Sequence, residues 1–424
     1  MIPTETSLQP IYSDVARPLP LRLAVRLGEL LHRCGSPEPD FSEAAVLKAA
    51  QRRSGLTDFG DESFRVPLRI LLEDFSNDSR LSYLVRWVVR QRCVRLTSSR
   101  LLIQDELKRH PEIPTLPIER PLFVVGFPRT GTTLLYNLLA SDPRSRALLT
   151  WESIAPAISA KDERKRVDPR IRRAQRMVRG MNYMAPRLQQ LHATDPLGPE
   201  ECGGLLVNTF MMTALSDGPG YQKWLLGLSR EEKGAAYRYY RQQLQALQRR
   251  HSAEHWILKS PAHMFAMDAI VDVFPDACIV QTHRDPLEVV PSGCSLITTL
   301  MTLLYEQLDL RQASNYYLNI LLRNLECSMK ARESISPARI FDMHFDQLMQ
   351  DPIGCVRRIY QHFDYDVSPE MERGMQLVLE NQPRHKHGVH RYTLEQFGLD
   401  ADVIKRGFAP YCEHYHVRSP QLAT

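Results

Sequence analysis

Residues 121–135 constrain the fold of this chain more than any other segment. They begin with an apolar run at 122–125 made of residues that favour β-strands. Gly126 and Gly131 then bracket a four-residue turn, and Thr132 begins an apolar segment with helical spacing. In such a strand, turn and helix, the backbone N–H groups of the turn and the positive end of the helix are directed at one place. The segment therefore predicts an anion-binding loop.

The loop differs from a nucleoside-triphosphate P-loop at one decisive position. Its two glycines keep the P-loop spacing, but Thr132 stands where that motif requires lysine. Arg129 supplies a positive charge inside the turn instead. We therefore predict a phosphate loop that has lost its lysine, with these binding residues: Arg129, Thr130, Gly131, Thr132 and Thr133.

The composition favours a small anionic ligand and argues against several other partners. The chain has 424 residues, a net charge of +5 and 43% hydrophobic residues, so it can form two domains with a large core. Lys and Arg are scattered and not interleaved with aromatic residues, so we expect no nucleic acid partner. The apolar stretch at 296–304 is far shorter than the ~18 residues of a membrane span. Eight cysteines without a Cys-x-x-Cys pair, and an N-terminus unlike a signal peptide, predict reduced thiols and a cytoplasmic location.

The chain is predicted to have two regions of different fold. Residues 1–117 show helical spacing throughout, and three prolines at 110–117 mark a boundary. In residues 118–424, strands alternate with helices, which predicts an α/β fold with a P-loop-like parallel sheet flanked by helices. A mainly helical stretch at 144–255 is expected to cover the site as a lid. Ligands of such sheets bind at the C-terminal ends of the strands.

Polar residues follow two of the predicted strands. Lys259 ends the strand at 256–259, where an unpaired ammonium would be costly and a bound anion would stabilise it; a surface lysine is the alternative. Arg284 follows the strand at 278–283, and Ser292 comes eight residues later. A guanidinium and a hydroxyl can hold a phosphate together, although Arg284 could instead pair with its neighbour in the turn.

Two residues are candidates for an acid–base role. Glu152 follows Trp151 at the expected edge of the pocket, where its carboxylate could act as a base or simply lie on a helix surface. His263 lies one turn after Lys259, and a core histidine is as good an explanation there as a catalytic one.

Two phosphate grips without a P-loop lysine favour a nucleotide that carries phosphates at two ribose positions. On these motifs the chain resembles the sulfotransferases that use 3'-phosphoadenosine 5'-phosphosulfate (PAPS), and more narrowly the bacterial-type branch with an N-terminal helical extension. The resemblance covers about 121–399 with gaps in the middle. Four motifs carry it: the loop at 126–133, Arg284 with Ser292, the run at 341–352 and the segment at 390–399.

The resemblance implies a role for each matching residue. Residues 129–133 would bind the 5'-phosphosulfate, and Arg284 with Ser292 the 3'-phosphate. Lys259 would stabilise the bridging oxygen, without any metal. Lys-Ser-Pro at 259–261 departs from the Lys-Thr-His of well-studied cytosolic members, which moves the expected base to Glu152, with His263 second.

The C-terminal part of the pattern departs as well. The family's usual Arg-Lys-Gly contact to the 3'-phosphate is missing, and the basic cluster at 384–388 could replace it or be a solvated loop. His387 and His390 could also reach the acceptor. The identity of the base therefore stays open among four residues at this stage.

The expected acceptor is a small molecule with a hydroxyl group. Residues 192–202 lie where similar proteins have a lid over the acceptor, and Glu200 and Glu201 either line the pocket or begin a helix. Apolar residues follow, which suggests an apolar acceptor but equally describes a buried helix: Leu205, Phe210, Met211 and Met212.

Two other functions are compatible with the loop. A P-loop small-molecule kinase would need Lys259 in place of the missing lysine and Asp342 to hold magnesium. A non-catalytic nucleotide-binding scaffold would use the arginine-rich helix surface at 80–100 to bind a partner. We expect the sulfotransferase.

Overall fold

The computed structural model describes residues 19–184, 186, 194–211, 216–381 and 393–417. Its centre is a sheet of five parallel strands in the order β2-β3-β1-β4-β5. The strands are β1 (Leu122–Gly126), β2 (Ser145–Ala147), β3 (His255–Lys259), β4 (Cys278–His283) and β5 (Ile340–His344). The predicted α/β fold with a parallel sheet is confirmed.

The N-terminal region is helical, as expected from its spacing. Its helices are α1 (Leu19–Arg33), α2 (Glu43–Ser54), α3 (Arg65–Asn77) and α4 (Tyr83–Arg109). Ser42 begins α2 because its hydroxyl accepts the N–H of Ala45, and Gly55 ends it in the left-handed conformation. α4 ends before the three prolines at 111–117. Within that stretch, Ile113–Thr115 form a short 3₁₀ turn.

Helices connect the strands and cover both faces of the sheet. They are α5 (Thr132–Leu139), α6 (Thr150–Ile154), α7 (Ala160–Glu163), α8 (Pro169–Met184), α9 (Gly203–Asn208), α10 (Pro219–Leu226), α11 (Arg230–Arg250), α12 (Met267–Val273), α13 (Pro286–Met301), α14 (Leu310–Arg332), α15 (Phe345–Gln350), α16 (Pro352–His362), α17 (Pro369–Asn381) and α18 (Ala401–His414). Short 3₁₀ turns lie at Pro261–Ala266, Pro337–Arg339 and Glu395–Phe397.

The two faces of β1 pack into different parts of the core because successive side chains of a strand point to opposite sides. Phe123 and Val125 join a large cluster that extends into the N-terminal helices. Leu122 and Val124 join a second cluster with α5, α16 and α17. All five residues of β1 are buried, which explains why its sequence is an unbroken apolar run.

The stretch at 144–255 is mainly helical in its described part, with α6 to α11 inside it. It also contains β2, which sequence reasoning missed. β2 is only three residues long, Ser-Arg-Ala, and carries none of the apolar β-branched residues that mark the other strands. Its pairing with β3 fixes it in place.

The N-terminal helices and one face of the sheet share a single hydrophobic cluster, which runs from Phe41 to Tyr415. The domain boundary at 117 and the assignment of 144–255 as a lid stay predictions. All eight cysteines are free thiols. Within the described residues, no helix has both the length and the apolar character needed to cross a bilayer.

Gly126 ends β1 at a position that tolerates no side chain. Its φ is 149°, and a Cβ there would lie 2.1 Å from the hydroxyl oxygen of Thr282 on β4. We therefore expect Gly126→Ala to lower the free energy of unfolding by about 3 kcal/mol through steric overlap and backbone strain. Urea denaturation followed by circular dichroism measures the change.

Gly55→Ala is the matched control for this substitution. Gly55 also has a positive φ, but nothing lies within 4 Å of its Cβ position. It should cost only about 1 kcal/mol, for the backbone conformation alone. Equal losses in the two variants would show that contact with Thr282 does not restrict position 126.

Candidate functional site

The turn after β1 is held in shape by two threonines. The Thr130 hydroxyl donates to the carbonyl of Phe127 at 2.7 Å and lies 2.6 Å from the hydroxyl oxygen of Thr282. Thr130 and Thr132 are buried, whereas Thr133 is exposed at the start of α5. Thr130 therefore fixes the turn to β4, and Thr133 presents its hydroxyl to the outside of the turn.

Two residues of the turn have left-handed backbone conformations. Gly131, with φ of 86°, packs so closely that a Cβ would lie 2.9 Å from Leu348 and 3.2 Å from Phe345. Arg129 has φ of 72°, which is uncommon for a residue with a side chain. Backbone of this kind persists only where the surroundings hold it, and it occurs often in ligand-binding turns.

Arg284 holds the outer side of this turn. Its Nη1 donates to the carbonyl of Arg129 at 2.8 Å, and its guanidinium stacks on the ring of Phe345 at 3.8 Å. Its Nε donates to Glu288 at 2.7 Å, in the first turn of α13. Arg284 is thus pre-positioned beside the loop, with a guanidinium suited to bind phosphate.

Ser292 joins the same side of the loop from α13. The Nε of Arg129 donates to the hydroxyl of Ser292 at 3.1 Å. The structure therefore brings together three of the residues predicted to bind the nucleotide, namely Arg129, Arg284 and Ser292.

Lys259 lies on the other side of the loop, at the end of β3. Its side chain is 2% exposed, and its Nζ donates to Glu201 at 2.6 Å. The same Nζ lies 3.5 Å from the hydroxyl of Thr133. The backbone secures this arrangement because the N–H of Cys202 donates to the carbonyl of Lys259 at 2.8 Å. A buried ammonium, a carboxylate and the first turn of α5 therefore meet at one point.

Glu201 is a candidate site residue whose role the sequence did not settle. It lies two residues before the start of α9, and its side chain contacts Lys259. That it lines the acceptor pocket stays a prediction. It remains about a quarter exposed, so a second molecule can reach it. The available signal was two adjacent glutamates just before an apolar helix, whereas the lysine that needs a counter-charge lies 58 positions later in the sequence.

Glu152 lies in different surroundings from those we expected. It is 1% exposed, and its carboxylate accepts from Nη2 of Arg146 at 2.5 Å and from the N–H of Leu149 at 3.2 Å. These contacts cap α6 and neutralise a buried arginine. The geometry therefore gives Glu152 a structural role and provides no support for its role as the base.

His263 is fully buried under β1 and β3. Its Nδ1 lies 2.6 Å from the hydroxyl of Tyr237, and its ring packs edge-on against Phe123. Burial lowers the pKa of His263 to about 3 and raises the pKa of Tyr237 well above its usual value, so the Tyr237 hydroxyl donates to Nδ1. These surroundings favour the core histidine over the catalytic one.

Asp342, the residue that a kinase would need for magnesium, is already paired. It accepts from His283 at 2.8 Å and from Arg332 at 2.8 Å, and these contacts hold its pKa below the usual range. The three residues tie β4, β5 and α14 together. Asp342 therefore has a structural role in this fold.

Several predicted residues lie outside the described part of the chain. They are the basic cluster at 384–388, which includes His387, and also His390, residues 192–193 of the acceptor segment, and Met212.

The burial of His263 predicts a pH dependence of stability. In the unfolded chain this imidazole has a pKa near 6.5, so the unfolded state binds one proton more as the pH falls toward 3. His263 therefore does not lower the free energy of unfolding above pH 6.5. On acidification its neutral, buried ring lowers that free energy by about 2 kcal/mol between pH 7 and 5. Between pH 7 and 5, the free energy of unfolding of His263→Gln should fall by about 2 kcal/mol less than that of the wild type. Urea denaturation at both pH values measures the difference.

The control is His251→Gln, which removes an exposed histidine; His263→Gln should flatten the pH dependence more than this control does. Parallel stability curves for wild type and His263→Gln would contradict the burial of a neutral imidazole.

Comparison with known proteins agrees with this geometry. A model of the sulfotransferase family matches residues 121–369, more than half of the chain. The chain is 28% identical over 301 residues to the omega-hydroxy-beta-dihydromenaquinone-9 sulfotransferase Stf3 of Mycobacterium tuberculosis, covering 66% of this chain and 72% of that protein.

Two solved structures are also similar. Sulfotransferase STF9 from Mycobacterium avium has a TM-score of 0.81 at 28% identity, covering 91% of this chain and 99% of its own. Sulfotransferase STF1 from Mycobacterium tuberculosis has a TM-score of 0.76 at 29% identity, covering 87% and 98%. With its lysine-free loop between Arg284 and Lys259, this chain belongs to the sulfotransferase family and is an enzyme of that class.

Proposed function

We propose that this sulfotransferase moves a sulfuryl group from PAPS to the hydroxyl of an apolar small molecule. One observation carries the proposal. Separate cationic groups flank the loop after β1, with Arg284 on the α13 side and Lys259 on the β3 side. A donor that carries one phosphate at the 3' position and a phosphosulfate at the 5' position needs positive charge at two places.

The residues present fit such a donor. The turn at 127–131 and the first turn of α5 offer backbone N–H groups and the positive end of a helix to the 5'-phosphosulfate. Thr132, Thr133 and Lys259 would stabilise the same group. Arg284 would bind the 3'-phosphate together with Ser292, exchanging part of its contact with Glu288 for the ligand.

Glu201 is the base that the contacts favour. Its carboxylate is paired with Lys259, beside the hydroxyl of Thr133 at the loop. In the proposed reaction the acceptor oxygen forms a bond to sulfur while the bond between sulfur and the bridging phosphate oxygen breaks. Glu201 takes the acceptor proton, and Lys259 stabilises the charge that develops on the bridging oxygen. A positioned base of this kind accelerates transfer by ~10²–10⁴-fold.

The acceptor is proposed to be an apolar, lipid-like alcohol. Leu205, Phe210 and Met211 follow Glu201 closely and are buried in the main core cluster, as the buried-helix interpretation expects. Stf3 of Mycobacterium tuberculosis is named for a menaquinone that carries a terminal hydroxyl. A molecule of that general character is therefore the proposed acceptor, with Glu201 beside the loop as its base.

We also propose that the protein works in the cytoplasm. Eight free thiols, five of them buried, suit a reducing compartment.

Arg284→Ala is expected to weaken binding of adenosine 3',5'-bisphosphate by ~10–100-fold. The variant loses charge-assisted hydrogen bonds to phosphate, each worth roughly 1.5–3 kcal/mol, and leaves the carboxylate of Glu288 near the ligand. Isothermal titration calorimetry without metal measures the dissociation constant.

Arg323→Ala is the matched control, because Arg323 is also paired with a glutamate on its own helix, at 2.6 Å to Glu326. It should bind the nucleotide as the wild type does. Equal dissociation constants for Arg284→Ala and wild type would remove Arg284 from the nucleotide site.

Labelled sulfate transfer from PAPS into a lipid extract, resolved by mass spectrometry, tests the reaction and its base together. The wild type should label an alcohol of the lipid fraction without added metal. Glu201→Gln should reduce turnover by ~10²–10⁴-fold because the base is lost, and Lys259→Ala should reduce turnover more than it weakens donor binding.

Glu152→Gln separates the two candidate bases. It should lower the free energy of unfolding, since it disturbs the buried pair with Arg146, but the folded fraction should keep its turnover. The reverse result, with Glu152→Gln inactive and Glu201→Gln active, would assign the base to Glu152. A product made only with ATP and magnesium would favour a kinase.

A further inference from the structure

The outer face of α1 carries a continuous stripe of leucines. Its members are between 47% and 63% exposed: Leu19, Leu23, Leu27, Leu30 and Leu31. Steps of three and four residues place them on one side of the helix. Apolar residues scattered singly over a surface need no explanation, but five aligned on one helix form a contiguous patch that marks an interaction site.

The opposite face of α1 is fixed to the protein. Val25 and Gly28 are buried, and the Cβ position of Gly28 lies 3.4 Å from Cβ of Leu84 on α4. The carboxylate of Glu29 accepts the N–H of Tyr83 at 2.8 Å and so caps the start of α4. Because the inner face already has its partner, the leucine stripe does not take part in this packing.

The charges beside the stripe are predominantly positive. Arg22, Arg26 and Arg33 are exposed, and helical geometry places all three along one edge of the leucines. The helix has a single acidic residue, Glu29, whose carboxylate is bonded to α4. The exposed surface of α1 is therefore apolar with a basic edge.

We infer that α1 binds the surface of an anionic lipid bilayer. The leucines enter the boundary between headgroups and acyl chains, and the arginines contact the phosphates of the headgroups. Its 15 residues are fewer than the ~20 of a membrane span, so the helix lies in the plane of the surface. This inference does not rest on the proposed donor, acceptor or base.

Charge favours a lipid surface over a second copy of the chain. Paired helices that meet along an apolar stripe set their partner choice by opposite charges at its edges. Within α1, three arginines stand against one carboxylate, that of Glu29, which also accepts the N–H of Tyr83, so a second α1 would add net positive charge. Anionic headgroups supply the missing negative charge, whereas another α1 does not.

Vesicle co-sedimentation with the full chain tests the inference. The wild type should bind vesicles of phosphatidylcholine with one third phosphatidylglycerol, and bind pure phosphatidylcholine at least ~10-fold more weakly. Leu23→Glu with Leu27→Glu should weaken binding at least ~10-fold because both side chains become charged. Arg22→Glu with Arg26→Glu should remove the preference for the anionic vesicles.

Leu377→Glu with Val403→Glu is the matched control. These residues are comparably exposed, at 57% and 43%, but lie on α17 and α18, outside the stripe. This variant should bind vesicles like the wild type. Circular dichroism spectra and urea denaturation midpoints should be unchanged in all variants, which shows that they are folded and keeps this test independent of the proposed enzyme function.

Three results would overturn the inference. The first is that the wild type does not sediment with anionic vesicles. The second is that Leu23→Glu with Leu27→Glu binds them as strongly as the wild type does. The third is that the wild type is a dimer which this double variant converts to a monomer.

Discussion

The buried ammonium of Lys259 is the constraint around which this site is built. A charge that is 2% exposed is costly unless an opposite charge lies beside it. Glu201 supplies that charge at 2.6 Å, and the N–H of Cys202 binds the carbonyl of Lys259, so the segment before α9 is held against the end of β3 from two directions. The partner of the lysine therefore comes from outside the sheet, from the region that follows β2. In the proposed reaction the same ammonium turns toward the donor, which leaves the carboxylate for the acceptor proton.

The loop after β1 links the two cationic sides of the site. Arg129 adopts a left-handed conformation whose carbonyl accepts from Arg284, while its side chain donates to Ser292. Four residues later, Thr133 lies beside Lys259. The turn itself is anchored to β4 through Thr130 and Thr282. Because each contact is made by a residue of the turn or of the first turn of α5, the distance between Arg284 and Lys259 is set by this backbone and the spacing of the strands.

The sequence predicts the parts of this protein that local patterns encode. The apolar run before Gly126, the glycine spacing and the residues after β3 and β4 identify the sheet and place Arg284, Ser292 and Lys259 at its C-terminal edge. β2 escapes prediction because pairing with β3 holds it in place, and its own three residues do not indicate a strand. Glu201 pairs with a lysine 58 positions further along the chain, which no local pattern reveals.

For the two expected bases, the sequence suggests a catalytic role that the contacts in the structure do not favour. Glu152 beside Trp151 suggests a carboxylate at a pocket edge, but Arg146, six residues earlier, takes that carboxylate into a buried ion pair. His263 follows a strand end at a distance that suits a catalytic residue, yet it lies under Phe123 with Tyr237 as its partner. In both cases the residue type indicates chemistry, whereas the burial and contacts of the side chain favour a structural role.

The missing lysine of the loop has a physical consequence for the ligand. In a P-loop, one lysine inside the turn concentrates positive charge at the β- and γ-phosphates. Here Thr132 takes that position, and the charge is divided between Lys259 on β3 and Arg284 after β4, on opposite sides of β1 in the sheet order. A ligand with its negative charge in one chain of phosphates would engage only one of these groups well. A nucleotide with charge at both ends of its ribose can engage both, and this division of charge is the strongest argument for a bisphosphate nucleotide as the donor.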